Sequence, residues 1–191
     1  MKKFYTVPVL AVSALALAAC GGAAAEGEAA ASADADPITA AEVTAAQQAW
    51  GEGIVTIGKT FTDEGDFRKA AQDHIAKHYA YGDDATVLFK PTLASVDQYR
   101  ETADEALSYF VGTEGTEDGG FAIAPYTAVR WEPNGTVIDE DGDMAVAMGN
   151  YYFTGTDGNE TKVEYSFAYE KDDAGDLKIV LHHSSLPFSP E

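Results

Sequence analysis

Leu177-Lys178-Ile179-Val180-Leu181 runs into His182-His183-Ser184-Ser185-Leu186-Pro187, a strand pattern that ends in two imidazoles and two hydroxyls. Reading backwards from it, Asp172-Asp173-Ala174-Gly175 is a turn joining it to a strand over Lys162 to Glu170. Thr156-Asp157-Gly158-Asn159 joins that strand to a longer one, Met144 to Thr154. Asp141-Gly142 and Pro133-Asn134-Gly135 have the composition of two further hairpin turns. Phe121 to Trp131 reads as a strand that Pro125 bends or confines to an edge. The second half of the chain is therefore expected to be about five antiparallel strands.

The first half is helical. Thr39-Ala40-Ala41-Glu42 has the hydroxyl and carboxylate of a capping box, and Val43, Trp50, Ile54, Ile57 and Phe61 follow as one apolar stripe. Gly51 and Gly53 interrupt that helix, so a kink or a close packing contact is expected there. A second helix is predicted over about Asp66 to Tyr81, and a short strand over Ala85 to Lys90, stopped by Pro91. Ser95-Val96-Asp97-Gln98 reads as the cap of a third helix that places Tyr99, Ala103, Ala106 and Phe110 on one face and ends at Gly112. Helices followed by a meander argue for an α+β fold, a curved sheet wrapped around three helices with a pocket between them.

Upstream lies an address. Lys2 and Lys3 precede an uncharged stretch, Phe4 to Ala19, and Leu17-Ala18-Ala19-Cys20 resembles a bacterial lipoprotein cleavage box. Residues 1–19 are expected to be a signal peptide and Cys20 the lipidated residue. Residues 20–36 form a low-complexity tether that cannot bury a core, leaving 37–191 as the single domain. The expected location is the bacterial periplasm. Gly21 stands where lipoproteins kept at the inner membrane often carry Asp, which points to the outer membrane. Once Cys20 is lipidated no thiol remains for a disulfide, a nucleophile or a thiolate metal site.

Charge limits the partners. Twelve Lys and Arg against 32 Asp and Glu give −20, and loss of Lys2 and Lys3 leaves 10 against 32, or −22. Such a surface repels nucleic acid and anionic lipid, so the only membrane contact expected is the lipid on Cys20.

The chemistry-bearing group is the closing tetrad. A strand alternates its faces, so His182 and Ser184 share one side while His183 and Ser185 share the other. Ile179 and Leu181 favour one register and Val180 the other, and alternation leaves the choice open. His74 and His78 lie four apart on the second helix and with a C-terminal histidine could form a three-His zinc site. An isolated pair of that spacing is more often incidental. Asp139 to Asp143 places its Gly at the wrong position for a calcium loop. No phosphate loop, dinucleotide fingerprint or nucleophile elbow is present.

Several segments together resemble the iota-class carbonic anhydrases. They are Leu88-Phe89-Lys90-Pro91-Thr92, Ser108-Tyr109-Phe110-Val111-Gly112, Phe121-Ala122-Ile123-Ala124-Pro125, Met148-Gly149-Asn150-Tyr151-Tyr152-Phe153-Thr154 and His182 to Pro190. That family is related to the association domain of calcium/calmodulin-dependent kinase II and has the nuclear-transport-factor-like, or SnoaL-like, cone. The resemblance implies reversible hydration of carbon dioxide to bicarbonate and a proton, and a homodimer through the open face of the sheet. It implies no obligatory cofactor: several members work without metal, while others have been assigned zinc or manganese.

The family residues that carry over are Thr92, Tyr109, and one His with one Ser from His182, His183, Ser184 and Ser185. A neutral imidazole with a pKa of about 6.5 is expected to act as general base on water. The hydroxyls would orient that water and donate to the oxygen on which charge develops. The competing reading is a small-ligand-binding or oligomerisation module on the same cone, since fold does not decide function.

Overall fold

α1, Ala40–Thr62, starts at the capping box read from the sequence: the Thr39 hydroxyl accepts the Glu42 N–H at 3.2 Å, and the Glu42 carboxylate accepts the Thr39 N–H at 2.7 Å. The computed structural model describes residues 36–82 and 86–190. The expected signal peptide, Cys20 and all of the tether except Asp36 lie outside the described residues. The stripe on α1 buries Val43, Trp50, Ile54 and Ile57, while Phe61 stays partly exposed against Phe67. The helix continues unbroken through its glycines, which serve close packing instead. A Cβ on Gly53 would fall 2.1 Å from Nδ1 of His74, and one on Gly51 would touch Val129 and Trp131.

α2, Phe67–His78, is capped by Asp66 and ends where Tyr79 turns extended and bridges to Ile179. β1, Leu88–Lys90, follows, and then α3, Ala103–Val111. α3 begins at a second capping box, Thr102 with Glu105, and not at Ser95. The backbone N–H groups of Ser95, Val96 and Asp97 are instead occupied by the Glu117 carboxylate, which leaves Tyr99 outside the helix and exposed.

Four long strands complete the chain: β2 (Ala128–Ile138), β3 (Met144–Thr154), β4 (Glu160–Lys171) and β5 (Leu177–Ser185). They form an antiparallel meander, with β1 added in parallel at the far side of β5, giving the order β1-β5-β4-β3-β2. Two sequence expectations fail here. Phe121–Ile123 is a 3₁₀ turn rather than a strand. Pro133-Asn134-Gly135 is a bulge inside β2, not a hairpin turn. Proline cannot donate to the ladder, so the strand absorbs the extra residue there and resumes pairing. Gly149 faces the bulge, where a Cβ would lie 2.5 Å from the Glu132 carbonyl oxygen.

The helices cover one face of this curved sheet, and the core between them is aromatic. Trp50 sits at its centre, with the rings of Tyr151, Phe167 and His182 at 5.9, 6.0 and 5.5 Å.

Candidate active site

A second bulge decides which half of the tetrad enters the core. Pairing of β4 with β5 jumps from Ala168–Leu181 to Tyr169–Ile179, leaving Val180 as the extra residue. The extra residue reverses the alternation, so Ile179, His182 and Ser184 are all buried on the helix side. His183 and Ser185 point to the opposite face. His183 lies beside Ser166 in line with Met148, and the Ser185 hydroxyl donates to Glu164 at 3.2 Å.

His182 is 2% exposed and held in an aromatic cage. Its cross-strand neighbours Phe89 and Phe167 flank it, with ring centroids at 4.5 and 4.2 Å, and Trp50 meets it edge-on. Nδ1 lies 2.8 Å from the Tyr79 hydroxyl and Nε2 lies 3.4 Å from the Tyr151 hydroxyl. Trp50 Nε1 can only donate, and it donates to the Tyr79 oxygen at 3.0 Å. The Tyr79 hydrogen is therefore free to point at Nδ1, which makes Nδ1 an acceptor and leaves the ring hydrogen on Nε2.

Burial, with a smaller contribution from His183, pushes the His182 pKa down to about 3. The imidazole is thus neutral at physiological pH. This departs from the ordinary value near 6.5 on which a general-base role rests.

Ser184 accepts a hydrogen bond from Thr92 at 2.9 Å, across the gap between β5 and the segment after β1. Tyr151 lines the same cavity, and burial raises its pKa far above the ordinary phenol value. Tyr109, on α3, is buried, and its pKa is pushed up by desolvation. Thr92, Tyr109, Tyr151, His182 and Ser184 converge on one cavity of about 60 Å³, walled otherwise by rings such as Phe121 and Phe153. A water needs roughly 10–15 Å³ on this measure, so there is room for a very small molecule and a water. The walls are apolar, as an uncharged linear triatomic requires, and the polar atoms are hydroxyls.

Of the six residues singled out in the sequence, the structure brings together Thr92, Tyr109, His182 and Ser184 and leaves His183 and Ser185 outside. Tyr79, Tyr151 and Trp50 were missed. Tyr151 lies within the family-like segment Met148 to Thr154 but was not singled out there, and Tyr79 follows the last residue of α2. His74 and His78 lie beside each other behind Trp50, their rings 4.6 Å apart and tilted by 51°, both with pKa lowered by burial. Among the described residues no group of three or more His, Cys, Asp or Glu is placed to hold a metal ion, so the three-His arrangement does not form.

A model of the family described as metal-independent carbonic anhydrase matches residues 41–186. A metal-independent carbonic anhydrase of Nostoc sp. (strain PCC 7120) is 42% identical over 158 residues, covering 79% of this chain and 75% of that protein. The crystal structure of a cyanobacterial iota-carbonic anhydrase complexed with bicarbonate is 39% identical with a TM-score of 0.76, over 81% of this chain and 95% of that one. A structure from Xanthomonas campestris, described as a calcium/calmodulin-dependent protein kinase II association domain, is 22% identical. It covers 78% of this chain and 89% of that one with a TM-score of 0.52, and shares the fold alone. With the family shown, the non-enzymatic reading gives way to an enzyme. The chain belongs to the metal-independent, iota-class carbonic anhydrases, built on the nuclear-transport-factor-like cone.

Proposed function

We propose that carbon dioxide is hydrated at the Thr92–Ser184 hydroxyl pair, with His182 as a neutral positioning group. The observation that supports this is the pair itself, 2.9 Å apart on the cavity wall, beside an imidazole whose two nitrogens both face tyrosine hydroxyls. Water adds to the carbon while its proton passes through one hydroxyl to a carbon dioxide oxygen. The hydroxyl returns unchanged. The product, carbonic acid, ionises to bicarbonate and a proton on reaching solvent. The Tyr109 hydroxyl, on the same cavity wall, donates to the oxygen on which charge develops.

The general-base role expected for the C-terminal histidine keeps one point in its favour, that the His182 ring reaches the cavity. It requires Nε2 to shed its hydrogen and Nδ1 to gain one against the Tyr79 contact. With a pKa of about 3, the protonated form is only about one molecule in ten thousand at pH 7. Stopped-flow hydration from pH 5 to 9 separates the two readings. The hydroxyl relay gives a flat profile and a loss of roughly 100-fold in Ser184→Ala or Thr92→Val. A neutral-pH inflection that disappears in His182→Gln would replace the relay with the base.

We further propose a homodimer through the outer face of the sheet. Val137 and Val146 pair there across β2 and β3, with Met148 on the same face, and all three are exposed. Val146→Glu should yield monomers in analytical ultracentrifugation; an unchanged mass would remove this surface from the interface. Export and lipidation at Cys20, with retention at the periplasmic face of the outer membrane, is the reading of residues 1–36. Cys20→Ala should release the protein from the membrane fraction, and continued membrane association would refute the anchor.

A further inference from the structure

Arg100 lies in the irregular segment between β1 and α3, yet it is 2% exposed. A guanidinium that deep needs partners, and both of its terminal nitrogens have them, while the buried Nε has none. Nη1 donates to the carbonyls of Asp97 and Tyr99 at 2.6 and 3.0 Å, and Nη2 donates to the Asp118 carboxylate at 2.5 Å. Asp118 is itself 4% exposed. The Arg100 N–H bonds the Phe89 carbonyl at 2.9 Å, and its own carbonyl accepts the Tyr81 hydroxyl at 2.7 Å. Its Cζ lies 5.8 Å from the Tyr109 ring centroid.

Each of these partners leads to the cavity. Phe89 is one of the two rings that sandwich His182, and Tyr109 lines the cavity wall. The segment folded over the guanidinium begins at Thr92, the donor to Ser184. Glu117, next to Asp118, holds the N–H groups of Ser95, Val96 and Asp97 in the same segment. Two adjacent carboxylates of one loop thus fasten the strip that carries Thr92, one through backbone and one through Arg100.

We propose that Arg100, clamped by Asp118, is a positioning residue for carbon dioxide hydration: it holds the Tyr109 ring and the Thr92 segment against Ser184. The role rests on the reading that Thr92 and Tyr109 act on the substrate. A guanidinium can fork to two carbonyls and a carboxylate while lying against a ring, whereas an ammonium is a single point of charge. Arg100→Lys therefore keeps the charge and loses the geometry.

The test is a kinetic cycle on the mature protein, comparing wild type, Arg100→Lys, Tyr109→Phe and the double variant by stopped flow, well below their melting temperatures. Arg100→Lys should lower kcat at least tenfold with KM within twofold, and the double variant should be no slower than the slower single one. Where Arg100→Lys does not fold, Asp118→Asn, which keeps shape and an acceptor, takes its place in the cycle. A folded variant with wild-type kcat, or losses that multiply in the double variant, would overturn the role. A Tyr109→Phe enzyme with unchanged activity would instead refute the reading of Tyr109, a distinguishable failure.

Discussion

The Tyr79 hydroxyl bonds Nδ1 of His182 at 2.8 Å while receiving Trp50 Nε1 at 3.0 Å, so α1, the end of α2 and β5 meet at one oxygen. That oxygen fixes the tautomer of the histidine, and the tautomer limits what the histidine can do. Nitrogen NMR of the protein should show the hydrogen on Nε2 and no titration of His182 above pH 5. A midpoint near neutrality would contradict the caged, neutral ring.

Removing the hydroxyl should be felt in both stability and rate. Tyr79→Phe leaves Trp50 Nε1 and His182 Nδ1 without their partner in a dry core, which costs about 1–3 kcal/mol per orphaned group. Chemical denaturation should report a loss of about 2–6 kcal/mol for the two groups together, with a fall in hydration rate from a loosened imidazole. Equal stability in the Phe variant would mean that water or a side-chain shift replaces the bond.

The two halves of the tetrad should behave oppositely. His183→Ala and Ser185→Ala alter the outer face, away from the cavity, and are expected to keep activity within about twofold. His182→Ala opens a hole between Phe89 and Phe167 and should lose both rate and stability. Side-by-side stopped-flow and melting curves decide this, and a His183→Ala enzyme as impaired as His182→Ala would argue against the assigned register.

Acid should unfold this protein through its histidines. Burial lowers the pKa of His182 to about 3 and of His78 to about 4, and lowers that of His74 as well. Between those values and about 6.5 the unfolded chain binds protons that the folded one refuses, so stability rises with pH across that window. The contribution is complete above about pH 6.5 and is lost as pH falls toward 3 to 4. Denaturation at pH 7 and pH 4.5 should show the drop, and His78→Gln should make it smaller. A stability curve level across this range would rule the histidines out as its cause.

Gly53 offers a packing test independent of catalysis. Its missing Cβ leaves room for the His74 imidazole, and a methyl there would sit 2.1 Å from Nδ1. Overpacking of this kind costs about 1–3 kcal/mol. Gly53→Ala should fall in that range in urea, although alanine is the better helix former; a gain in stability would show that His74 can move aside.

Local signals carried most of the fold. The capping box at Thr39, the apolar stripe of α1 and the turns at Asp157-Gly158 and Gly175 were legible because each depends on neighbours in sequence. The errors occurred where a distant partner overrode a local pattern. Ser95 has a cap's composition, but Glu117, 22 residues away, occupies the amides that a helix would have used. Pro133-Asn134-Gly135 has a turn's composition, but pairing with β3 on both sides of it keeps β2 straight enough to continue. Thr92 and Tyr109 came from a family resemblance, while His182 and Ser184 stood in the closing tetrad as one of two registers that alternation left open. Their convergence, and the cage of Trp50, Tyr79 and Phe89 that tunes the imidazole, depend on contacts that no spacing encodes.

The extra residue at Val180 gives the doubled letters His-His-Ser-Ser a further meaning. Were β5 to pair without it, Leu181, His183 and Ser185 would turn inward, and the cavity would still receive an imidazole and a hydroxyl two positions apart. The duplication works as a redundant code. A slip that in most strands would exchange core for surface here still presents an imidazole and a hydroxyl to the helix side, set further along β4, with His183 opposite Tyr165 where Ser184 now lies.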